Sequence, residues 1–399
     1  MHIHFLRMIK QAIIVALLLL VMIIPLVSLS DDIYLGKLKK SADIFYSIFM
    51  NKQFDLALNL IKEMGTKDRS VIVSPISISA QLFGVYLATH DETRKEISEF
   101  LGKSTSRSIQ NYFGNLLFRI CGRKNDNYTF NIANRLYVPK RFSIKPFFSF
   151  VLQFYFKENL HYFTYERRNE LIQEVNNWAK EKTNGRINEL MGTANINPKS
   201  KMLLFNTMYF KNIWKEQFIS ASIWDKQKKV SMMALKAEHS HYIDNFVHVL
   251  KLPYVYDGIQ MIIILPKQIF QLSNVRNKMT KSALMSYIGK SKPSNVTLIL
   301  PKFQIETELN LKNLKTFGDT NIFSKNADFQ GISDDPISVS NIIHRSFFEI
   351  NEKGTEIACE TESGSGNLNR SGSFIVDQPF LFFVVREANI ILYAGQYGD

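Results

Sequence analysis

From Gly354 to Ser363 the sequence GTEIACETES separates into two faces when read at alternate positions. Thr355, Ile357, Cys359, Thr361 and Ser363 are uncharged, while Glu356, Glu360 and Glu362 share the other face with Ala358. Side chains alternate across a β-strand, so this pattern predicts a strand with one buriable side. The stretch that follows, Gly364 to Ser373 (GSGNLNRSGS), has the composition of an exposed loop. A ready-made strand therefore stands at the root of a loop.

The first half of the chain is dominated by helical spacing. Apolar residues in Ala42–Met64 recur at Ile44, Phe45, Ile48, Phe49, Phe54, Ala57, Leu58 and Ile61, one face of a helix. Ser74-Pro75 opens an apolar stretch through Leu87, with Ser74 placed to cap it. Asp91-Glu92-Thr93 starts a shorter helix ending at Leu101-Gly102, and Leu171–Ala179 forms another that exits through Lys182–Gly185. From Met202 the texture changes to strands: Met202–Phe210, Val247–Pro253, Gln260–Leu265, Val296–Leu300, Ile337–Ile343, Phe347–Ile350, Phe380–Val385 and Ile390–Tyr393. Several are apolar on both faces, as central strands of covered sheets are. Helices first and strands later, without strict alternation, predict an α+β fold.

The N-terminus has a different pattern. Arg7 and Lys10 precede an apolar run from Ala12 to Ile24, followed by Pro25 and Ser28-Leu29-Ser30. A basic start, a short apolar run and a small-residue site predict a cleaved signal peptide over residues 1–30. The remainder, 31–399, contains no Gly/Ser- or Pro-rich linker and no repeat, and is expected to form a single domain. A leader implies a secreted, extracellular protein, a glycoprotein with acceptor triplets at Asn127 and Asn295. A third triplet, at Asn369, lies in the exposed loop.

Composition narrows the chemistry. The net charge is +13, or +11 once Arg7 and Lys10 leave with the leader. Basic residues gather at Arg119, Arg123 and Lys124 and at Lys278, Lys281, Lys290 and Lys292. Such clusters suit a solvated face or a polyanion such as heparin or another glycosaminoglycan. No nucleic-acid motif is present, and no membrane contact is expected after the leader is removed. Cys121 and Cys359 are the only cysteines, enough for one bridge or two free thiols. Nucleophile elbows, zinc-binding helices and phosphate loops are absent. His239 and His241 can share a strand face but have no neighbouring ligand residue, and are expected to be surface histidines rather than metal ligands.

Taken in order, these landmarks resemble the serpin family over nearly the whole chain beyond the leader. The stretches that carry the resemblance are Val73–Ile78 (VSPISI), Asn177-Trp178-Ala179 with Lys182–Ile187 (KTNGRI), and Asn206–Lys211 (NTMYFK) with Trp214. Further along come Leu252-Pro253-Tyr254, Met261–Pro266, Leu300–Phe303 (LPKF), Ala327-Asp328-Phe329, His344, Phe348–Glu356 (FEINEKGTE) and Gln378–Phe382 (QPFLF).

The resemblance implies an α+β serpin fold of three β-sheets, about eight or nine helices and an exposed reactive-centre loop. It also implies a monomeric protease inhibitor, without cofactor, metal or catalytic residues of its own. A serine protease cuts the loop, forms a covalent acyl-enzyme, and is trapped as the loop inserts into the central sheet. Glu352, Gly354, Thr355, Glu356, Ile357, Ala358, Cys359 and Thr361 match the hinge, with the odd-numbered residues inward and the glutamates facing water. Counting from Glu352 and back from Pro379 both select Leu368-Asn369 as the scissile bond. Leucine suits chymotrypsin-, cathepsin G- or elastase-like proteases; cleavage after Arg370 would instead mean trypsin-like targets. Ser74, Ser77, Asn206 and His344 match the family's shutter, and Trp214, Lys302 and Glu352 its breach. Inhibitory members usually carry alanine-like residues where this chain has Ile357-Ala358-Cys359-Glu360. A non-inhibitory serpin, acting as carrier, chaperone or protease substrate, is therefore the alternative.

Overall fold

The computed structural model describes residues 31–65, 69–120, 124–125, 127–225, 228–256, 258–269, 271–318, 320–355, 373–387 and 390–398. The chain divides into two units, Met1–Ser47 and Ile48–Asp399. In the first, the described part is the start of one long helix; all that follows concerns the second.

Nine α-helices form among the described residues: α1 Asp31–Met64, α2 Pro75–Ala88, α3 Asp91–Leu101, α4 Ser106–Ile120, α5 Pro146–Phe156, α6 Arg168–Lys182, α7 Leu272–Lys278, α8 Lys281–Lys290 and α9 Lys315–Gly318. The first strands are β1 Val71–Val73, β2 Lys124–Asn125, β3 Tyr128–Pro139, β4 Leu160–Phe163, β5 Met202–Ile213, β6 Ile219–Asp225, β7 Lys228–Ile243 and β8 Val247–Pro253. They are followed by β9 Ile259–Pro266, β10 Lys292–Pro301, β11 Phe303–Asn310, β12 Val339–Ile350, β13 Gly354–Thr355, β14 Ser373–Ile375, β15 Phe380–Arg386 and β16 Ile390–Tyr397.

The seven-stranded sheet runs β11-β12-β13-β5-β3-β2, with β4 also on β3 and with β12 pairing β5 directly below β13. The nine-stranded sheet runs β1-β16-β15-β9-β8-β7-β10-β14, with β6 on β7. The three sheets implied by the resemblance thus form two hydrogen-bonded networks. The cause is β7, which pairs β6 and β10 along most of its length and β8 at its end, Ser240–Ile243, joining two of them.

Helix α2 holds the sheets together. Ser74 Oγ accepts from the Ser77 N–H at 3.3 Å, and Pro75 occupies the first turn, where no donor is needed. All of α2 except Leu87 is buried, as expected of a helix apolar around its whole circumference, and it packs between β5 and β16. Beside it the sheets meet through rings. Phe348 of β12 stacks on Phe382 of β15 at 5.2 Å and lies 5.4 Å from Tyr393 of β16. Phe210 of β5 reaches the same Tyr393 at 6.3 Å.

Several elements depart from the sequence pattern, and for β3, β12 and β16 the reason is visible. β3 lies within the helix-rich half, where no strand is expected, because Asn131 and Asn134 break its apolar run. Their partners are distant: Asn131 Nδ2 donates to the Lys182 carbonyl, and Asn134 Oδ1 accepts from Asn206. β12 is one strand rather than two, since His344 and Ser346 in its middle are buried and hydrogen-bonded to one another. β16 continues past Tyr393 because Gln396 is buried and accepts from Arg276 at 2.7 Å.

Phe348→Ala removes one of the rings that join the two sheets, and is expected to cost about 3–5 kcal/mol in urea denaturation with an unchanged m-value.

Candidate functional site

The centre of the seven-stranded sheet holds two neighbours that run the same way. β12 pairs β5 in parallel, from Val339 opposite Met202 to Ser346 opposite Met208. Above that point the two strands part, and β13 lies between them. Thr355 pairs Ile350 on one side and Asn212 on the other, both antiparallel, and Gly354 pairs Ile213. Gly354 and Thr355, two residues of the expected hinge, therefore lie as a short strand between β5 and β12.

This short strand is fixed there by close fit. A Cβ on Gly354 would fall 2.1 Å from the Asn212 carbonyl oxygen and 2.7 Å from Ile213 Cα, so only glycine allows this approach. Thr355 is buried, its hydroxyl 2.5 Å from that of Tyr254. Burial pushes the Tyr254 phenol well up, so it stays neutral. Its ring stacks on Trp214 at 4.3 Å, and Trp214 Nε1 donates to the Asn351 carbonyl at 2.9 Å. Asn351 Oδ1 accepts from the Lys353 and Gly354 N–H groups at 3.0 and 3.3 Å, an asparagine turn that reverses the chain from β12 into β13. Glu352 lies within that turn and meets Lys302 Nζ at 2.8 Å. Burial raises the affinity of the Glu352 carboxyl for a proton, but the Lys302 ammonium more than reverses this and holds it below its ordinary value. Trp214, Lys302 and Glu352 are thus gathered around the hinge turn. Sequence reasoning missed Asn212, Tyr254 and Asn351, although Tyr254 and Asn351 stand inside the quoted blocks.

Lower in the seam, Ser74, Ser77, Asn206 and His344 come together and are all fully buried. His344 of β12 donates through Nδ1 to Asn206 Oδ1 of β5, and its Nε2 accepts from the Ser346 hydroxyl at 2.7 Å. Ser77 donates to the same Asn206 oxygen at 2.9 Å, and Asn206 Nδ2 donates to Asn134 Oδ1 at 2.7 Å. Ser74 donates to the Leu392 carbonyl at 2.9 Å. The network bridges the parallel pair at its midpoint. Asn134 and Ser346 belong to it and left no signal beyond their polarity within apolar strands.

The outer face of the seam is covered by α6. Leu171, Val175, Trp178 and Ala179 pack on Leu203 and Phe205 of β5 and on Ile343 and Phe347 of β12. A charged cluster ties α6 to β3. Arg135 lies 3.3 Å from Glu158 and 3.6 Å from Glu174 of α6, while Tyr137 donates to Glu174 at 2.9 Å. His161 Nε2 and Nδ1 lie 3.2 Å from Glu158 and 3.3 Å from Glu174.

Glu356, Ile357, Ala358, Cys359, Thr361, Leu368, Asn369 and Arg370 lie outside the described residues, as do Cys121 and residues 1–30. His239 is not the expected surface residue: cross-strand packing opposite Ser294 buries it, and burial lowers its affinity for a proton. Its neighbour His241 lies 2.5 Å from Ser294 Oγ. Among the described residues no three metal-ligating side chains converge. Arg119, Lys278, Lys290 and Lys292 are exposed, as are Asn127 and Asn295.

A family model described as Serpin (serine protease inhibitor) matches residues 51–399. The chain is 31% identical to Serpin B8 of Bos taurus, over 86% of this chain and 97% of that protein. It is 30% identical to leukocyte elastase inhibitor of Homo sapiens, over 88% of this chain and 98% of that one. Among solved structures it is similar to thyroxine-binding globulin in complex with thyroxine, with 26% identity, a TM-score of 0.78, and coverage of 88% and 98%. These relatives correct the expectation of a secreted, extracellular protein. Serpin B8 and leukocyte elastase inhibitor are clade B serpins, which are intracellular and lack signal peptides. The basic-apolar-small pattern of residues 1–30 lies outside the described residues.

Burial pushes the His344 imidazole down to about 3, against about 6.5 in an unfolded chain. With the folded value depressed, the stability of the neutral network is complete above about pH 6.5 and is lost as pH falls toward 3. Unfolding free energy is expected to drop by up to about 1.4 kcal/mol per pH unit in this window from this one group. In His344→Gln that slope should shrink by one proton. An unchanged slope in chemical denaturation across pH would refute the assignment.

Proposed function

Because the chain belongs to the serpin family of protease inhibitors, we propose that it traps serine-type endopeptidases as a suicide substrate cut after Leu368. Serpins inhibit proteases rather than catalyse reactions, and do so through covalent complexes with serine proteases. The observation that carries this reading is β13, the hinge seated as an additional strand at the top of a parallel seam.

The chemistry is an interrupted hydrolysis. The protease serine oxygen attacks the Leu368 carbonyl carbon, the serine proton leaves on the Asn369 amine, and Leu368 remains esterified to the protease. Once the loop is severed, the segment after Thr355 is free to extend down the seam. Insertion replaces one parallel ladder between β5 and β12 with two antiparallel ones, which adds main-chain hydrogen bonds in the more favourable arrangement.

The register of β13 supports the fit of this particular sequence. Continued downward, it sets Ile357 between Phe210 and Phe348, Cys359 between Met208 and Ser346, and Thr361 between Asn206 and His344. A large apolar residue at 357 thus meets two aromatic rings. A hydroxyl at 361 meets the two groups that must give up their mutual hydrogen bond, and it can donate to one and accept from the other.

On the outer face the same register modifies the expectation that the glutamates face water. Glu360 falls between Thr207 and Arg345, where it finds a cation, but Glu362 falls between Phe205 and Ile343, beneath α6. Burying that carboxylate unpaired is costly, so α6 must lift for the strand to pass.

Leu368 and the likeness to leukocyte elastase inhibitor support chymotrypsin- or elastase-like targets. The likeness to thyroxine-binding globulin supports a binding role as the alternative. Incubation with chymotrypsin, elastase and trypsin, read on a denaturing gel, is expected to give a covalent adduct with the first two. An adduct with trypsin alone moves the bait to Arg370. Clean cleavage of the loop with no adduct overturns inhibition. Ile357→Lys, which places a charge between two rings, is expected to convert the adduct into cleaved product.

A further inference from the structure

We infer that the outward face of α5, with α4 beside it, docks on an anionic lipid surface. Helix α5 reads PFFSFVLQFYF, yet only Phe148 and Leu152 are buried. Phe147, Phe150 and Phe154 are 72%, 64% and 58% exposed, and Phe118 of α4 is 87% exposed. Phe147, Phe150 and Phe154 share one helical face, with the Phe150 and Phe154 rings stacked at 6.2 Å. An exposed aromatic patch of this kind marks an interaction surface.

Charge identifies the partner. Residues 103–124 and 140–157, which contain both helices and their flanks, carry nine lysines and arginines and no aspartate or glutamate. Lys140 and Arg141 precede α5, Lys145 stands at its N-terminus and Lys157 at its C-terminus, with the Lys157 ammonium 5.7 Å from the Phe154 ring centroid. Among the described residues, Lys103 meets Glu99, Arg119 meets Glu387 and Lys145 meets Asp334. An apolar face rimmed by cations is the chemistry of a helix lying in the headgroup layer, phenylalanines toward the acyl chains and ammonium groups on lipid phosphates and carboxylates. Eleven residues are too few to cross a bilayer, which takes about 20. No helix among the described residues is long and apolar enough to do so. The contact is therefore peripheral. It departs from the expectation of no membrane contact, and it is independent of the hinge and seam.

The test is sedimentation of the full-length protein with vesicles of phosphatidylcholine alone and of phosphatidylcholine mixed with phosphatidylserine. The wild type is expected to sediment with the mixed vesicles at low salt and to be released by high salt. Phe150→Ser/Phe154→Ser should lower the partition by at least about tenfold while melting with the wild type, since both side chains face outward. Lys140→Glu/Arg141→Glu should lower it while leaving Phe147, Phe150 and Phe154 in place. Three results overturn the proposal: no binding to mixed vesicles, equal binding by the phenylalanine variant, or equal binding to both vesicle types. Retention on heparin without vesicle binding would make the face a polyanion site instead. Self-association abolished by the phenylalanine changes, again without vesicle binding, would make it a contact between copies.

Discussion

The architecture depends on the parallel pairing of β5 with β12. Two parallel strands cannot be joined by a hairpin and need a long crossover, which here leaves β5, passes through the nine-stranded sheet and returns. Their shared edge is a seam whose sides come from distant parts of the chain. It can open without breaking a turn. Antiparallel pairing is the more favourable arrangement, and the chain that leaves β12 turns at once into β13, which pairs with both strands above the seam.

What keeps the seam closed is polar rather than apolar. The imidazole of His344 and the amide of Asn206 face each other across it at full burial, with every contact supplied by named neighbours. Such a network is stabilising only while complete, because each member left without a partner in that interior costs about 1–3 kcal/mol. Under the proposed mechanism, an arriving strand must bring its own hydroxyl to this level. The outer side works differently. Helix α6 covers the seam with an apolar face and is held by a cluster of charges that includes Arg135 and Glu174, so displacement of the helix exposes hydrocarbon and breaks ion pairs together.

Much of this was legible in the sequence. Alternation in GTEIACETES marked a strand with one buriable side, and its first two residues are paired as one. Val247–Pro253 formed with the expected bounds because its flanks are turns and its interior is apolar. The side chains gathered around the hinge turn and in the buried network were found through family resemblance, since their partners come from four or more separate segments. Local pattern failed where a polar residue is satisfied at long range. Asn131 and Asn134 hid β3, His344 and Ser346 divided β12 in two, and His239 looked like a surface residue. Nor could alternation show what covers a face of the sheet. Period two says which residues share a face, but not that a helix lies over it.

The tryptophans occupy informative places. The chain has three, Trp178, Trp214 and Trp224. Trp214 is stacked on the tyrosine that touches Thr355, and Trp178 lies in the apolar face of α6 beneath the Arg135 guanidinium, 4.9 Å from its ring. One indole therefore stands at the hinge and another on the helix that covers the seam. Under the proposed mechanism, withdrawal of the hinge and lifting of the helix change the polarity around different chromophores. The two indoles are then separate optical probes of the two ends of that change, once Trp224→Phe has removed the third emitter.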